Sequence, residues 1–362
     1  MNKRDSDLLI RANYLFQDGQ YQECENLTEE IYQNNNDDLK VLNLYASVCS
    51  INKNFDIAKN IFEKLVFLQP NNANISNNYA QLLRSMGDIE LALIFFKKAV
   101  NYNPKLMIAY PNLFECLYLK ENYKELHKRL QSLQKSNLPK SLGCVAISDF
   151  ATNQLDWKKN PYQICDDQFD YIAYQEKEDS IDFFNENEMK ELKRIIDLKL
   201  KNARNQNLLD NGLQTPGNLL DSKEKVIKKL RVIIDHRINL YKEKYNKKDC
   251  DLITKWPSSH SIKAWAVKIK KGGYLNFHNH EFGWISGSLY LKMPKVKNDE
   301  GKIEFSLKGP KYPLIDKSKL KSMSFSPKES CSIIFPSSLF HRTIPFDDNE
   351  NRVSIAFDLR PN

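Results

Sequence analysis

Three histidines in the last quarter of the 362-residue chain have the type and spacing to hold a metal ion. His278 and His280 sit two apart in GGYLNFHNH, an apolar, aromatic run that reads as a β-strand. Side chains on a strand alternate faces, so both imidazoles face one side, their Cα atoms roughly 7 Å apart, while Asn279 points away. His341 follows 61 residues later, in IIFPSSLFHRTIPF. Neutral imidazole suits iron, zinc, copper and nickel, and three of them on two strands could close on one ion. Eleven residues past His341, in RVSIAFDLRP, Arg352 and Ser354 share one face of a further strand. A guanidinium in so apolar a run needs an anionic partner, and its planar fork fits a carboxylate.

A lone buried histidine is usually a hydrogen-bonded core residue, but three of the chain's six fall in two short strand-edge motifs. Of the others, His127 and His236 lie on predicted helices and His260 just ahead of the first strand, where packing accounts for them. Tyr274, Asn276 and Tyr290, on neighbouring strands, are further candidates to touch a co-substrate, with packing as the plainer role.

The elements that must position these residues are strands. From Trp256 the chain reads SIKAWAVKI, YLNFHNH, ISGSLYLKM, KIEFSL, CSIIFP and VSIAFDL, each short, aromatic or β-branched, and bounded by Gly, Pro, Asn or Asp. Such a series predicts a closed or sandwiched β-core of jelly-roll form, with metal ligands on two separated strands. Ahead of it, amphipathic patterns predict helices over 185–206 and 222–245, and Pro216-Gly217 between them marks a turn. Residues 138–185 have no sustained helical period and read as an irregular connector.

The first 137 residues repeat with a period of 34. Ala12, Ala46 and Ala80 keep one register, with Phe114 in the fourth slot, and Tyr21, Phe55, Ile89 and Tyr123 keep another. Ala58 pairs with Ala92, Phe62 with Phe96 and Pro70 with Pro104. This resembles the tetratricopeptide repeat, a pair of antiparallel helices per unit, so the expected architecture is an N-terminal α-solenoid (1–137), a connector (138–185) and a β-domain with supporting helices (186–362).

The C-terminal stretch resembles the double-stranded β-helix of iron(II)- and 2-oxoglutarate-dependent oxygenases, whose pattern is H-x-D/E, a distant histidine, then an arginine, often as R-x-S. H-x-H followed by SGSLYL and FPSSLFHRT is similar, more narrowly, to a bacterial and phage group of 2-oxoglutarate/iron oxygenases. The resemblance implies that His278, His280 and His341 ligate iron(II) and serve catalysis. It implies that Arg352 and Ser354 hold the far carboxylate of 2-oxoglutarate, with O2 as co-substrate and ascorbate as a candidate reductant. The departure is His280, because a facial triad holds ferrous iron with two histidines and one carboxylate. His280 either ligates as a third imidazole or acts as an outer partner; Glu281 is one register off.

Composition is that of a globular protein, with a formal charge of +8 from 54 Lys+Arg against 46 Asp+Glu, the lysines spread along the chain. No dense basic block alternates with aromatics, which argues against nucleic-acid binding. The start MNKRDSDLLIRANYLFQDGQ has no apolar signal segment, no window approaches a membrane span, and the seven cysteines form no C-x-x-C pair. A cytoplasmic location with reduced thiols is expected. The expected function is a dioxygenase that hydroxylates a peptide or protein side chain, or a small molecule, with a peptide or protein ligand on the concave face of the repeats. Two alternatives stand beside it. One is a cupin-type metal protein, since GGYLNFHNH fits G-x5-H-x-H, although no glutamate follows at that motif's spacing. The other is a non-catalytic scaffold.

Overall fold

The computed structural model describes residues 2–176, 183–203, 206–295, 299–310 and 312–362. The chain forms two compact units, residues 1–139 and 140–362. Among the described residues no helix is long and apolar enough to cross a membrane.

Unit one is built from α1 (Lys3–Gln17), α2 (Tyr21–Asn34), α3 (Leu39–Ile51), α4 (Phe55–Leu68), α5 (Ala73–Ser85), α6 (Ile89–Tyr102), α7 (Ala109–Leu119) and α8 (Tyr123–Gln134). The 34-residue period is visible at three levels. Ala12, Ala46, Ala80 and Phe114 are all fully buried where paired helices cross, as are Phe62 and Phe96. Asp38 and Asn72, one period apart, cap α3 and α5 with their side chains, and Asp88 and Asn122 do the same for α6 and α8. The turn inside each pair passes through left-handed backbone at Gly19, Lys53, Gly87 and Glu121, again 34 apart. Only two of those four positions carry glycine, the residue that takes this conformation at no steric cost, so composition alone would not reveal the turn.

Unit two opens with α9 (Leu142–Leu155), inside the segment expected to be an irregular connector. The expectation fails because α9 is apolar over most of its surface, from Leu142 through Val145, Ile147 and Phe150, and its half-buried polar stripe of Asp149, Thr152 and Asn153 is too narrow to show as an amphipathic period. Residues 177–182 of that segment, and 204–205 at the end of the first predicted helix, lie outside the described residues. Two helices form as predicted, α10 (Glu186–Leu200) and α11 (Lys225–Tyr245), followed by the short α12 (Asp251–Thr254). Lys229 of α11 joins Glu188 of α10 at 2.6 Å, and α11 packs on the sheet.

The strands are β1 (Ala173–Gln175), β2 (Leu209–Gln214), β3 (His260–His278), β4 (Ile285–Lys292), β5 (Ile303–Ser306), β6 (Ser322–Phe325), β7 (Ser332–Pro336), β8 (Phe340–Thr343) and β9 (Arg352–Pro361). All pair antiparallel in the order β1-β7-β4-β9-β3-β8-β5-β6, with β2 also on β3. LDNGLQ was not legible as strand β2, because a half-exposed edge strand needs no hydrophobic alternation. The long β3 pairs with different strands along its length: residues 260–269 pair with β9, whereas Leu275 and His278 pair with β8. Between them the chain turns at Gly272, whose φ of +74° favours glycine, and at Gly273, where a Cβ would lie 2.7 Å from the Asn211 carbonyl oxygen. The antiparallel sheet therefore curls into the two facing layers of a double-stranded β-helix. Phe169, Tyr290, Phe305 and Phe335 fill one part of its core, and Val267, Ile269 and Phe346 another.

Candidate metal centre

His278, the last residue of β3, lies directly opposite His341 of β8 in the antiparallel register. Cross-strand partners share a face, and here the ring centroids are 4.3 Å apart. His280 is not on the strand, contrary to the two-residue alternation read from the sequence: β3 ends at His278 and the chain enters a turn. Its ring nevertheless reaches the same point, with centroids 5.1 Å from His278 and 5.2 Å from His341. The backbone N–H of His280 donates to the Ser337 carbonyl at 2.9 Å, and Ser337 N–H donates to Trp284 O at 3.3 Å. The turn after β3 is thus stitched to the PSS turn that delivers His341. Gly283 lets the two approach, since a Cβ there would meet Ser337 Oγ at 2.5 Å.

All three imidazoles have Nδ1 committed to an acceptor. His278 Nδ1 lies 2.8 Å from Asn276 O, His341 Nδ1 lies 3.3 Å from Leu339 O, and His280 Nδ1 is hydrogen-bonded to Asp358 Oδ1. An acceptor at Nδ1 puts the hydrogen there and leaves Nε2 bare, which is the form that binds metal. One ligand atom from each histidine lies within 4.8 Å of the other two. Bonds of about 2.1 Å span about 4.2 Å at most, so a small closing rotation would seat an ion. Burial, with His280 beside it, pushes the pKa of His278 down to about 4. Burial, reinforced by the other two rings, holds His341 well below the ordinary histidine range. Both rings are therefore neutral at neutral pH.

The histidines line a cavity of about 130 Å³ together with Trp265, Phe335, Arg352 and Ser354. That is below the 300–1,000 Å³ of drug-sized sites and suits a small organic acid. Arg352 is 3% exposed. Its Nη1 points to Ser354 Oγ at 3.5 Å, its Cζ sits 4.9 Å over the Tyr290 ring, and its Nε has no partner. Among the described residues no carboxylate pairs with it, and burial draws its pKa down from the usual arginine value. A desolvated, unpaired guanidinium on the wall of an imidazole-lined cavity is a receptor for an anion. The residues present therefore fit both a divalent metal and a small carboxylate.

The structure brings His278, His280, His341, Arg352 and Ser354 around one cavity; Tyr274, Asn276 and Tyr290 do not line it. Tyr274 is spent in the pairing with β2, and Asn276 contributes its carbonyl to His278 while its side chain faces solvent. Tyr290 is fully buried beneath Arg352. The sequence reading missed Asp358, which is 1% exposed and bonded to His280. The signal was there: in RVSIAFDL, Asp358 keeps the same strand parity as Arg352 and Ser354.

Residues 263–358 match the family described as "Putative 2OG-Fe(II) oxygenase". Residues 73–106 match the tetratricopeptide repeat. The first match supports a 2-oxoglutarate/iron(II) oxygenase at family level. Among solved structures, a Pseudomonas putida prolyl-4-hydroxylase is similar at 12% identity and a TM-score of 0.36, over 53% of this chain and 92% of its own. MamA from Desulfovibrio magneticus is similar at 17% identity and a TM-score of 0.33, over 36% of this chain and 78% of its own. A tetratricopeptide repeat protein from Parabacteroides merdae gives 14% identity and a TM-score of 0.37, over 42% and 60%. No curated protein matches the chain.

Proposed function

We propose that residues 140–362 form an iron(II)- and 2-oxoglutarate-dependent dioxygenase that hydroxylates a peptide or protein side chain, with the N-terminal repeats presenting the polypeptide that carries it. The observation that carries the reading is Arg352, a buried cation without a carboxylate partner among the described residues, on the wall of the cavity that the three histidines also line. A cupin-type metal protein has no use for it. His278, His280 and His341 would hold the iron, and Arg352 with Ser354 would take the far carboxylate of 2-oxoglutarate. Iron in such a site supplies the coupling of 2-oxoglutarate decarboxylation, to succinate and CO2, with hydroxylation of a C–H bond.

The chain's own residues do the rest. The Nδ1 acceptors fix three tautomers, so ligand nitrogens are ready before metal arrives. Trp265, Val267, Leu275, Ile303 and Phe335 make the cavity wall apolar, excluding water from the reacting face and strengthening the Arg352 to carboxylate attraction. The repeats favour a polypeptide substrate over a free metabolite, because stacked helix pairs offer an extended concave surface rather than a closed pocket.

The test is anaerobic titration of the full chain with iron(II) and then 2-oxoglutarate. The expected result is one iron per chain, a new visible absorption on adding 2-oxoglutarate, and succinate released on admitting O2. Iron binding with no response to 2-oxoglutarate would overturn the assignment in favour of a cupin-type centre.

A further inference from the structure

We propose that Asp358 is the positioning residue of the metal centre: it aims His280 at the metal and returns the negative charge that a histidine in the carboxylate position removes. The inference rests on the three-histidine metal site proposed above.

His280 lies beyond the end of β3, so strand geometry does not aim its ring. Two contacts do: the Trp265 ring, 5.5 Å away between centroids, and the Nδ1 hydrogen bond to Asp358 Oδ1. The three histidines differ in this respect. His278 and His341 donate to backbone carbonyls, which are neutral, whereas His280 donates to a carboxylate. The one ring standing where the wider superfamily has an acidic ligand is also the one with an acid behind it. A charge-assisted bond of this kind is roughly twice as strong as a neutral one. It also makes the opposite nitrogen more basic and a better donor to metal.

Besides His280, two further donors hold the Asp358 carboxylate, one on each oxygen. Ser286 Oγ donates to Oδ1 at 2.8 Å and Arg360 Nη2 to Oδ2 at 2.9 Å. Ser286 Oγ in turn lies 2.7 Å from Ser337 Oγ, on the turn that delivers His341. One carboxylate thus orients one proposed ligand directly and is tied, through two serines, to the turn that carries another. The plainer alternative is that Asp358 only staples β9 to β4 and to that turn, and this alternative predicts different numbers.

Cobalt(II), which does not need anaerobic handling, is titrated calorimetrically into the full-length chain, with metal-free thermal unfolding as the control. Asp358→Asn should lose about 10- to 100-fold in cobalt affinity, the usual cost of an outer partner, with the metal-free melting temperature little changed. In a His280→Ala background the same substitution should alter cobalt affinity less than about twofold, because Asp358 acts on the metal through His280 and the two substitutions are then non-additive. In a His280→Asp background its sign should reverse: two carboxylates would then face each other, so His280→Asp/Asp358→Asn should bind cobalt at least about tenfold more tightly than His280→Asp alone. Wild-type affinity in Asp358→Asn, or an equal loss with and without His280, overturns the proposal while leaving the metal site standing. A wild-type chain that binds no cobalt overturns both. If Asp358→Asn does not fold, ring ¹⁵N spectra of metal-free wild type decide: His280 protonated on Nδ1 supports the proposal, and a bare Nδ1 overturns it.

Discussion

Arg352→Met should move stability and ligand binding in opposite directions. In the ligand-free protein Arg352 is a cation 3% exposed, its neighbours a tyrosine face at 4.9 Å and a serine hydroxyl at 3.5 Å. Its desolvation is offset by no protein carboxylate among the described residues. Replacing an awkward buried charge by an apolar side chain of similar length is commonly neutral or stabilising, so the ligand-free variant should gain 0 to about 2 kcal/mol. With 2-oxoglutarate the sign turns. Truncating one partner of a buried charge pair costs about 2–4 kcal/mol, or roughly 30- to 1,000-fold in affinity. At a concentration 100 times its Kd, 2-oxoglutarate should raise wild-type stability by about 2.7 kcal/mol, or roughly 5–10 °C at 2–4 °C per kcal/mol. The variant at that concentration should gain less than about 1 kcal/mol. Calorimetric unfolding of cobalt-loaded protein, with and without 2-oxoglutarate, measures both arms. A parallel run with 2-oxobutyrate, which keeps the chelating end but lacks the far carboxylate, should show wild type and variant alike. A variant that keeps the full 2-oxoglutarate shift, or a wild type that responds equally to both acids, refutes the assignment of Arg352.

Three further outcomes are expected. His278→Ala and His341→Ala should each abolish stoichiometric iron(II) binding by anaerobic calorimetry while the repeat unit keeps its helical circular dichroism; undiminished binding in the His341 variant would remove it from the site. Gly283→Ala forces a Cβ to within 2.5 Å of Ser337 Oγ, so it should cost about 1–3 kcal/mol in thermal unfolding and weaken metal binding by displacing His280. Asp149, on α9 and hydrogen-bonded by Asn160 and Gln168, has its pKa pushed up to about 7 by burial. The fold then keeps a proton that the unfolded chain releases near pH 3.8, so stability should fall as pH rises through 4 to 7, by a few kcal/mol in all. Melting temperatures at pH 5 and pH 8 should therefore differ more for wild type than for Asp149→Asn, and equal differences would count against the buried acid.

The sequence revealed what is periodic or rare. Repeats spaced 34 apart marked the helix pairs, and six short β-branched runs between turn residues marked five of the nine strands, two of the runs lying on β3. Histidine is scarce enough that three in two motifs marked the cavity. What stayed hidden lacks a local signature. Helix α9 has only a narrow polar stripe, and β2 is an edge strand reading LDNGLQ. His280 is aimed by a residue 78 positions away rather than by its own strand. Asp358 shares strand parity with Arg352 and Ser354, but only the pairing between β4 and β9 sets it beside Ser286, and parity alone does not show that. Tyr290 and Asn276 sit close to the right atoms, yet one is turned beneath Arg352 and the other offers its backbone, a distinction of rotamer and register that spacing does not carry.

Charge placement links these features. A divalent metal held by three neutral imidazoles keeps its full double charge, and Arg352 adds one more positive charge to the same apolar cavity. A dianionic 2-oxo acid neutralises two of the three. Among the described residues the buried acid bonded to this histidine cluster is Asp358, 1% exposed, and it would cancel the third. Arg360, the other cation on Asp358, has a third of its side chain in solvent, where water screens it. A carboxylate as direct ligand would balance the same charges, but it would occupy the metal's third protein position with a group that can also bind in two modes. Setting the acid one imidazole further back keeps three rigid nitrogen donors around the ion and holds the anion in place through Ser286 and Ser337. In the proposed site His280 and Asp358 together would do the work of the carboxylate in a facial triad, so neither substitution should be neutral while the other residue remains.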